Sequence, residues 1–284
     1  MSGTLIATDL DQTMIYSPGA LRLPGPDLDA PTFVSVEVLD GKPSAFMTAT
    51  AHRGFEQLSA EHTLVPCTTR TVEQFLRIRL PLAATGRPRY AVASNGGTLL
   101  VDGRPDVDWR RGLDQRLRET ASPLAEVTAA LQERATGDWV LKRRSADDLF
   151  TYLVVDLAAV PDGFLAEWGQ WCADHGWLLS VQGRKVYSTP IGLRKSAAIA
   201  EVAARVGTTR MLAAGDGLLD AEMLKLADAA IRPCHGELEG LGWTRPHVSV
   251  TEQAGVLGGE EIVRWFADQA VTADAAPVVA SGSR

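Results

Sequence analysis

Short apolar segments alternate with longer stretches of helical periodicity over most of the chain. Residues 5–8 are apolar and are followed at once by acidic residues, which predicts a buried strand that ends where the charges begin. The short apolar runs at 64–67 and 211–214 are each followed by a helical pattern. Because strands that alternate with helices form parallel sheets covered on both faces, the pattern predicts an α/β fold with a doubly wound parallel sheet.

A different pattern occupies the middle of the chain. A long helical pattern interrupted at Pro123 is followed there by strand patterns and by a second helix through Trp168. This block has its own helix and strand pairs, so it is predicted to be an inserted α+β domain. The predicted units are a discontinuous core, this insertion and a disordered tail, with the boundaries 1–104 and 186–271, 105–185, and 272–284.

A small β-flap is predicted near the start of the chain. Residues 33–38 alternate between apolar and polar positions with period two, and Asp40-Gly41 follows them as a hairpin turn. The next segment, residues 47–60, has apolar residues at helical spacing. A hairpin followed by a helix is therefore expected between the first and second strands of the core.

The charge balance narrows the classes of partner. The 284 residues include 28 basic and 35 acidic ones, a net charge of −7, without the basic excess of a nucleic-acid-binding chain. The first residues lack the features of a signal peptide, and no apolar stretch approaches the roughly 18 residues of a membrane span. The three cysteines are far apart, without metal-binding spacing. We therefore expect a cytoplasmic protein that binds neither nucleic acid nor membrane.

Polar clusters follow three of the predicted strands directly. They are Asp9-Leu10-Asp11, Thr68-Thr69-Arg70 and Gly215-Asp216. In open α/β sheets, ligands bind in the crevice at the carboxyl ends of the strands. The three clusters are therefore expected to meet at one edge of the sheet.

The acidic residues of these clusters suggest a cation site. An isolated Asp-x-Asp after a strand is more often an Asx-turn or a helix cap than a ligand pair. Asp216 and Asp220 add two carboxylates, however, and four carboxylates brought together need a counter-charge. Hard oxygen ligands favour Mg²⁺, which also accepts phosphate oxygens. The sequence therefore predicts a magnesium site that includes Asp9, Asp11, Asp216 and Asp220.

Phosphoryl transfer is the chemistry that this set of residues suits. Thr68 can donate a hydroxyl to a phosphate oxygen, and Lys195 can supply a fixed positive charge, although most lysines simply face solvent. An aspartate such as Asp9 can act as nucleophile through an acyl phosphate. Its neighbour Asp11 can protonate the leaving oxygen and then deprotonate the attacking water.

These motifs, in this order along the chain, resemble those of the haloacid dehalogenase superfamily. The resemblance lies in strand-Asp9-x-Asp11-x-Thr13, strand-Thr68, Lys195 and Gly215-Asp216-x-x-x-Asp220, and it spans the chain to about residue 231. It implies a Rossmann-like core. An insertion between the second and third motifs is typical of a C2-type cap, as in Cof-like and sucrose-phosphate phosphatases.

The resemblance also implies roles for individual residues. Asp9 is expected to be the nucleophile and Asp11 the acid/base, with Thr68 and Lys195 binding phosphate. Asp9, Asp216, the backbone carbonyl of Asp11 and, directly or through water, Asp220 are expected to hold Mg²⁺.

The sequence departs from the usual pattern of the superfamily at three positions. Gln12 and Thr69 each stand where Gly is common, and Leu219 stands where Asn commonly precedes the last Asp. The segments around 44–48 and 68–71 are similar to members associated with bacterial tellurite-resistance clusters, which does not identify a substrate.

Residues of the cap are expected to set specificity, because a cap closes over the leaving group. The candidates are Lys142, Arg143, Arg144, Gln182, Arg184 and Lys185. Of these, Arg143, Arg144 and Arg184 are predicted to contact the substrate.

Three functions remain open on these residues. The first is a Mg²⁺-dependent phosphatase acting on a small phosphorylated metabolite, such as a sugar or nucleotide phosphate. The second is a phosphotransferase or phosphomutase, in which another hydroxyl replaces water as acceptor of the same aspartyl phosphate. The third is a non-catalytic regulatory binding protein on the same scaffold, against which the presence of Asp9, Asp11 and Lys195 argues.

Overall fold

The computed structural model describes residues 3–25, 29–82 and 87–274. Its larger sheet has eight strands in the order β14-β13-β12-β1-β4-β5-β6-β7. The strands are β1 (Thr4–Asp9), β4 (Thr63–Cys67), β5 (Tyr90–Ala93), β6 (Thr98–Val101), β7 (Arg104–Pro105), β12 (Arg210–Ala214), β13 (Ala229–Arg232) and β14 (Val248–Val250). All neighbours from β14 to β5 pair in parallel, and β6 and β7 extend that edge antiparallel. The predicted α/β core with a parallel sheet is confirmed.

Helices cover this sheet on both faces, as the periodicity predicts. They are α1 (Ala49–Glu61), α2 (Val72–Leu76), α6 (Lys195–Val206), α7 (Ala221–Leu226), α8 (Glu237–Gly240) and α9 (Gly255–Asp274). Strand β1 is central and buried along its whole length. Its Ile6 packs in one apolar cluster with Phe55 and Phe266, and Leu5 packs in another with Ile199. A strand buried on both faces must be apolar throughout, which explains the unbroken run at 5–8.

The predicted flap is a two-stranded hairpin of β2 (Phe33–Leu39) and β3 (Lys42–Thr48). The helix expected from residue 47 begins instead at Ala49, because Thr48 is its N-cap and accepts a hydrogen bond from the Ala51 N–H at 3.0 Å. The strand β3 therefore runs directly into α1.

The insertion forms a second sheet, of four strands in the order β10-β11-β9-β8. Its elements are α3 (Val107–Thr120), α4 (Leu124–Arg134), β8 (Val140–Ala146), β9 (Phe150–Val155), α5 (Phe164–Asp174), β10 (Trp177–Gln182) and β11 (Lys185–Pro190). Its strands pair antiparallel. Trp168, Trp177 and Phe150 fill its own apolar cluster, so the insertion has a separate core. We call this unit the cap.

Two of the predicted boundaries differ from the structure. The boundary at 186 falls inside β11, whose residues pair with β9 of the cap, so the chain returns to the larger sheet only after Pro190. At the other end, α9 extends to Asp274, because helical hydrogen bonding continues past the predicted limit at 271. The rest of the predicted disordered tail, 275–284, lies outside the described residues. Among the described helices none is long and apolar enough to cross a membrane.

Candidate active site

The carboxyl edge of the larger sheet brings together the residues that the motifs single out. Asp9 is the last residue of β1, Thr68 follows β4, and Asp216 lies in the loop after β12. Lys195 is the first residue of α6, and its side chain is only 1% exposed. All four are buried, where a polar group without a hydrogen-bond partner or a counter-charge is costly.

Lys195 lies between two carboxylates. Its Nζ donates to Asp9 Oδ1 at 2.5 Å and to Asp220 Oδ1 at 2.6 Å. Burial alone would lower the pKa of this ammonium, but the two carboxylates, Asp220 first, raise the pKa of Lys195 above its usual value. Lys195 is therefore a permanent cation inside the site and does not face solvent, as most lysines do.

The carboxylate of Asp9 is held in place by contacts on both oxygens. In addition to the Lys195 bond at Oδ1, the hydroxyl of Thr13 donates to Oδ2 at 3.2 Å. Burial raises the pKa of Asp9 to about 7, and Asp220 and Asp11 add to this while Lys195 opposes it. The folded state therefore disfavours the charged form of Asp9, and such a cost in stability is common at functional sites.

Three carboxylates of this site can share one cation. Ligand atoms of Asp9, Asp216 and Asp220 lie within 4.8 Å of one another. Asp216 Oδ2 is buried without a hydrogen-bond partner among the described residues, and burial followed by repulsion from Asp9 raises the pKa of Asp216. Asp220 differs, since its Oδ2 already accepts from the Gly217 N–H at 2.9 Å. A buried carboxylate oxygen without a partner fits a hard divalent cation such as Mg²⁺.

Asp11 lies beside this cluster and is bound by Arg70, an arginine to which the sequence assigned no role. Arg70 Nε donates to Asp11 Oδ2 at 2.8 Å, and its Nη2 donates to Oδ1 at 2.7 Å. Burial would raise the pKa of Asp11, but the hydrogen bonds and charge of Arg70, together with the charges of Lys185 and Lys195, hold that pKa below the usual value. The position of Arg70 in the polar cluster Thr68-Thr69-Arg70 was the signal in the sequence for this contact.

Thr68 and Gln12 complete the loops around Asp9. The Thr68 hydroxyl accepts from the Arg70 N–H at 3.1 Å, which leaves its own hydrogen free to donate to a phosphate oxygen. Gln12 has φ of 63°, in the left-handed region where a side chain is strained, so the Gly that the resemblance leads us to expect would fit this backbone better.

A histidine joins the loop of Gln12 to the loop beside Asp216. His235 Nε2 lies 2.9 Å from the Gln12 carbonyl oxygen, and its Nδ1 accepts from the Gly255 N–H at 3.1 Å. The adjacent Gly236 has φ of 88°, and a Cβ there would lie 2.6 Å from Asp216 Oδ2. The backbone must therefore approach Asp216 closely at this point, and His235 fixes that approach.

The neutral form of His235 is expected to stabilise the fold. Burial lowers the pKa of His235 in the folded state, and protonation would remove the acceptor for the Gly255 N–H. Since the unfolded state takes up the proton first, this contribution is present above about pH 6.5 and is lost as the pH falls toward the lower folded pKa. NMR titration of the imidazole, assigned with His235→Gln, should give a pKa below 6.5. Wild type should also lose more urea stability than the variant between pH 7.5 and 5.5. An imidazole that titrates at or above pH 6.5 would contradict this.

One face of the cap sheet is turned toward the loops that carry Asp11 and Thr69. Side chains alternate along strands, so Lys185 and Tyr187 of β11 share a face, and register places Tyr152 and Gln182 on it too. Tyr187 Oη lies 3.4 Å from the Thr69 hydroxyl. Interaction with Tyr187 and then with Asp11 raises the pKa of Lys185. This face therefore supplies a cation, an amide and two phenols above Asp11.

The side-chain hydrogen bonds of Arg143 and Arg144, two of the three arginines predicted to contact substrate, stay within the cap among the described residues. Arg143 and Arg144 are exposed on β8, at the opposite edge of the sheet from β10, and donate to the backbone oxygens of Ala135 and Arg143. Arg184 is exposed in the turn between β10 and β11. Gln182 and Lys185 approach the site more closely, because a Cβ at Gly217 would lie 2.3 Å from Gln182 Nε2 and Lys185 interacts with the charge of Asp11.

Contacts with the core hold the cap over the site. Glu237 of α8 accepts from the Ser180 hydroxyl at 2.6 Å and from the Val181 N–H at 2.7 Å, both on β10, and from the Leu218 N–H at 2.8 Å. Leu219 is buried in the apolar cluster of the cap. Two of the three departures from the superfamily pattern, Thr69 and Leu219, thus contact the cap.

Comparison with solved structures identifies the fold. A sucrose-phosphatase from Synechocystis, solved with sucrose and phosphate, matches with a TM-score of 0.60 at 16% identity, covering 94% of this chain and 99% of that one. A trehalose-6-phosphate phosphatase related protein matches with a TM-score of 0.53 at 15% identity, covering 95% and 99%. A haloacid dehalogenase-like hydrolase from B. subtilis matches with a TM-score of 0.54 at 16% identity, covering 94% and 99%.

The chain has the haloacid dehalogenase fold. The matches cover core and cap together, so the whole described architecture is of this kind. By sequence, no family model and no curated protein matches the chain. The tellurite-associated branch that the sequence resembles has no counterpart among these matches and stays a prediction.

Proposed function

We propose that this chain is a Mg²⁺-dependent phosphatase of the haloacid dehalogenase superfamily that hydrolyses a small phosphorylated metabolite. The observation that carries the proposal is the buried group of Asp9, Lys195, Asp216 and Asp220 at the carboxyl edge of the sheet. Burying three carboxylates around one lysine is costly for stability, and a scaffold without a catalytic role has no need of it.

Asp9 is the proposed nucleophile. One of its oxygens attacks phosphorus, an Asp9–O–P bond forms and the bond from phosphorus to the leaving oxygen breaks. Asp11 supplies the proton to that leaving oxygen. An anionic substrate beside Asp11 favours its protonated form, which offsets the effect of Arg70 on the carboxyl.

Water then completes the cycle. Asp11, now a carboxylate, takes a proton from a water molecule that attacks the phosphorus of the aspartyl phosphate. The bond between phosphorus and Asp9 breaks, phosphate leaves, and both aspartates return to their starting states. Thr68 and Lys195 donate hydrogen bonds to the phosphoryl oxygens in both steps.

A magnesium ion would be held by Asp9, Asp216, the backbone carbonyl of Asp11 and, directly or through water, Asp220. When bound, it offsets the repulsion between the anionic nucleophile and an anionic phosphate ester. Among the described residues, Asp216 Oδ2 has no hydrogen-bond partner and would be available to the ion. The two oxygens of Asp220, in contrast, already accept from Lys195 and Gly217.

A sugar phosphate is the substrate class that the comparisons support best. The sucrose-phosphatase was solved with sucrose and phosphate, and a trehalose-6-phosphate phosphatase related protein has the same fold. In this chain, Lys185, Gln182 and Tyr187 supply polar groups on the face of the cap above Asp11, where the leaving group would lie. We propose these residues as its contacts.

Phosphate release from a panel of sugar and nucleotide phosphates, measured with Mg²⁺ and with excess chelator, tests the proposal. We expect release that depends on Mg²⁺, with a sugar phosphate among the best substrates. Release that is equal in chelator would contradict the metal dependence. No release from any compound, but transfer of the phosphoryl group to an added sugar hydroxyl, would indicate the phosphotransferase instead.

A further inference from the structure

A buried glutamate on the flap has no place in the mechanism so far. Glu37 lies on β2, and its side chain is 5% exposed. The pairing of β2 with β3 shifts register on both sides of Glu37, so the strand alternation breaks there. As a result, the consecutive residues Val36 and Glu37 are both buried. A bulge re-aims a side chain, and here it turns a carboxylate into the protein.

Glu37 binds the far side of the arginine that holds Asp11. Arg70 Nη1 donates to Glu37 Oε1 at 2.8 Å, while Nε and Nη2 of the same guanidinium donate to the two oxygens of Asp11. All three nitrogens of Arg70 are thus engaged by carboxylates. Arg77 Nε lies 3.5 Å from the same Glu37 oxygen, so a second cation helps to offset the burial of this anion.

The planar guanidinium makes the two contacts depend on each other. Its nitrogens are fixed in one plane, so the bond to Glu37 fixes the direction in which the Nε and Nη2 edge points. Arg70 is also tied through its backbone, where its N–H donates to the Thr68 hydroxyl and its carbonyl accepts from the Ser94 N–H at 2.8 Å. The backbone of Arg70 is thus fixed by these bonds, and Glu37 restricts the rotation of the Arg70 side chain.

We propose that Glu37 is a positioning residue for proton transfer: through Arg70 it holds the Asp11 carboxyl where the leaving oxygen departs. This rests on the proposed phosphatase function. Glu37 itself contacts Arg70 and Arg77 and not the reacting atoms. Loss of the Glu37 carboxylate should therefore slow the cleavage of an ester more strongly when its leaving oxygen needs a proton.

The test compares Glu37→Gln with wild type on phenyl phosphate and p-nitrophenyl phosphate. In both reactions the Asp9–O–P bond forms and the ester bond breaks; Asp11 passes its proton to phenol as that bond breaks, whereas nitrophenolate can leave first and take the proton afterwards. The nitrophenol leaves readily as an anion, whereas phenol needs the proton more. We expect kcat/KM to fall about 10-fold on phenyl phosphate and less than about 2-fold on p-nitrophenyl phosphate, since acid catalysis is worth about 10² or more when complete.

Glu73→Gln is the matched control. Glu73 also pairs with Arg77, at 3.5 Å, but its side chain is 90% exposed and it does not bind Arg70. Its kcat/KM should equal that of wild type on both esters. Arg70→Lys is a second variant in case Glu37→Gln does not fold, because lysine keeps the charge but cannot bind both carboxylates in one plane, and it should show the same selective loss. An equal loss on both esters, or no loss, overturns the proposal.

A double-mutant cycle tests the connection without any turnover. Glu37→Gln and Asp11→Asn each remove one carboxylate from Arg70, and the double variant leaves that cation without either. The shift in the urea midpoint should therefore be larger for the double variant than the sum of the two single shifts. Additive shifts contradict the connection through Arg70. If wild type hydrolyses neither ester, the proposed function fails, and Glu37 has no acid–base step to position.

Discussion

Replacement of Asp9 by asparagine is expected to lower phosphate release by roughly 10⁴-fold or more, the scale seen when a covalent nucleophile is removed. The amide cannot form the acyl phosphate, so no remaining group accepts the phosphoryl group. The fold should persist, because the amide oxygen can still accept from Lys195 while the amide NH2 donates to the Thr13 hydroxyl oxygen, which can also act as an acceptor. Release of phosphate under saturating substrate and Mg²⁺ measures this effect.

The same variant is expected to be at least as stable as wild type without Mg²⁺ at neutral pH. Burial raises the pKa of Asp9 to about 7, which means that the folded state disfavours its charged form. A neutral amide removes that penalty and the repulsion with Asp220. Asp108→Asn is the control, since Asp108 is 81% exposed and should change neither quantity. If Asp9→Asn retained more than a few per cent of turnover, the nucleophile would have to be another residue.

The location of the site could be predicted because it depends on local rules. Asp9, Thr68 and Asp216 each follow an apolar run, and the carboxyl ends of parallel strands meet at one edge of a sheet. Nothing beyond strand identity was needed to bring these residues together. The same holds for the flap, where a period-two pattern and an Asp-Gly turn suffice.

Side-chain contacts within the cap and contacts set by strand irregularities could not be predicted. Arg143 and Arg144 were candidates because they are basic and in the cap, but among the described residues their side chains donate to backbone oxygens of the cap. Glu37 was missed for a different reason: in regular alternation with Val36 it would face solvent, and the bulge that buries it has no signature in the sequence. The Arg70 contact was missed along with it.

Lys195→Met is expected to produce the largest change in stability. Lys195 is the shared partner of Asp9 and Asp220, with side chains that are 1% to 8% exposed, and removing one partner of a buried ion pair costs about 3–5 kcal/mol. Turnover should also be lost, since the variant cannot hold the phosphoryl oxygens. Urea unfolding at pH 7 without Mg²⁺ measures the stability loss. Lys225→Met is the control, because the pair of Lys225 with Glu222 is largely exposed.

The pH dependence of Lys195→Met separates a charge effect from lost packing. Lys195 lowers the pKa of Asp9, so without it the folded pKa of this carboxyl rises further above the unfolded value. The folded variant then binds more protons than the unfolded chain at intermediate pH, and its deficit relative to wild type should shrink as the pH falls from 7 to 5. Mg²⁺ should reduce the deficit at pH 7, because it supplies positive charge to the same carboxylates. A deficit that is the same at both pH values and unaffected by Mg²⁺ would indicate that Lys195 acts through packing alone.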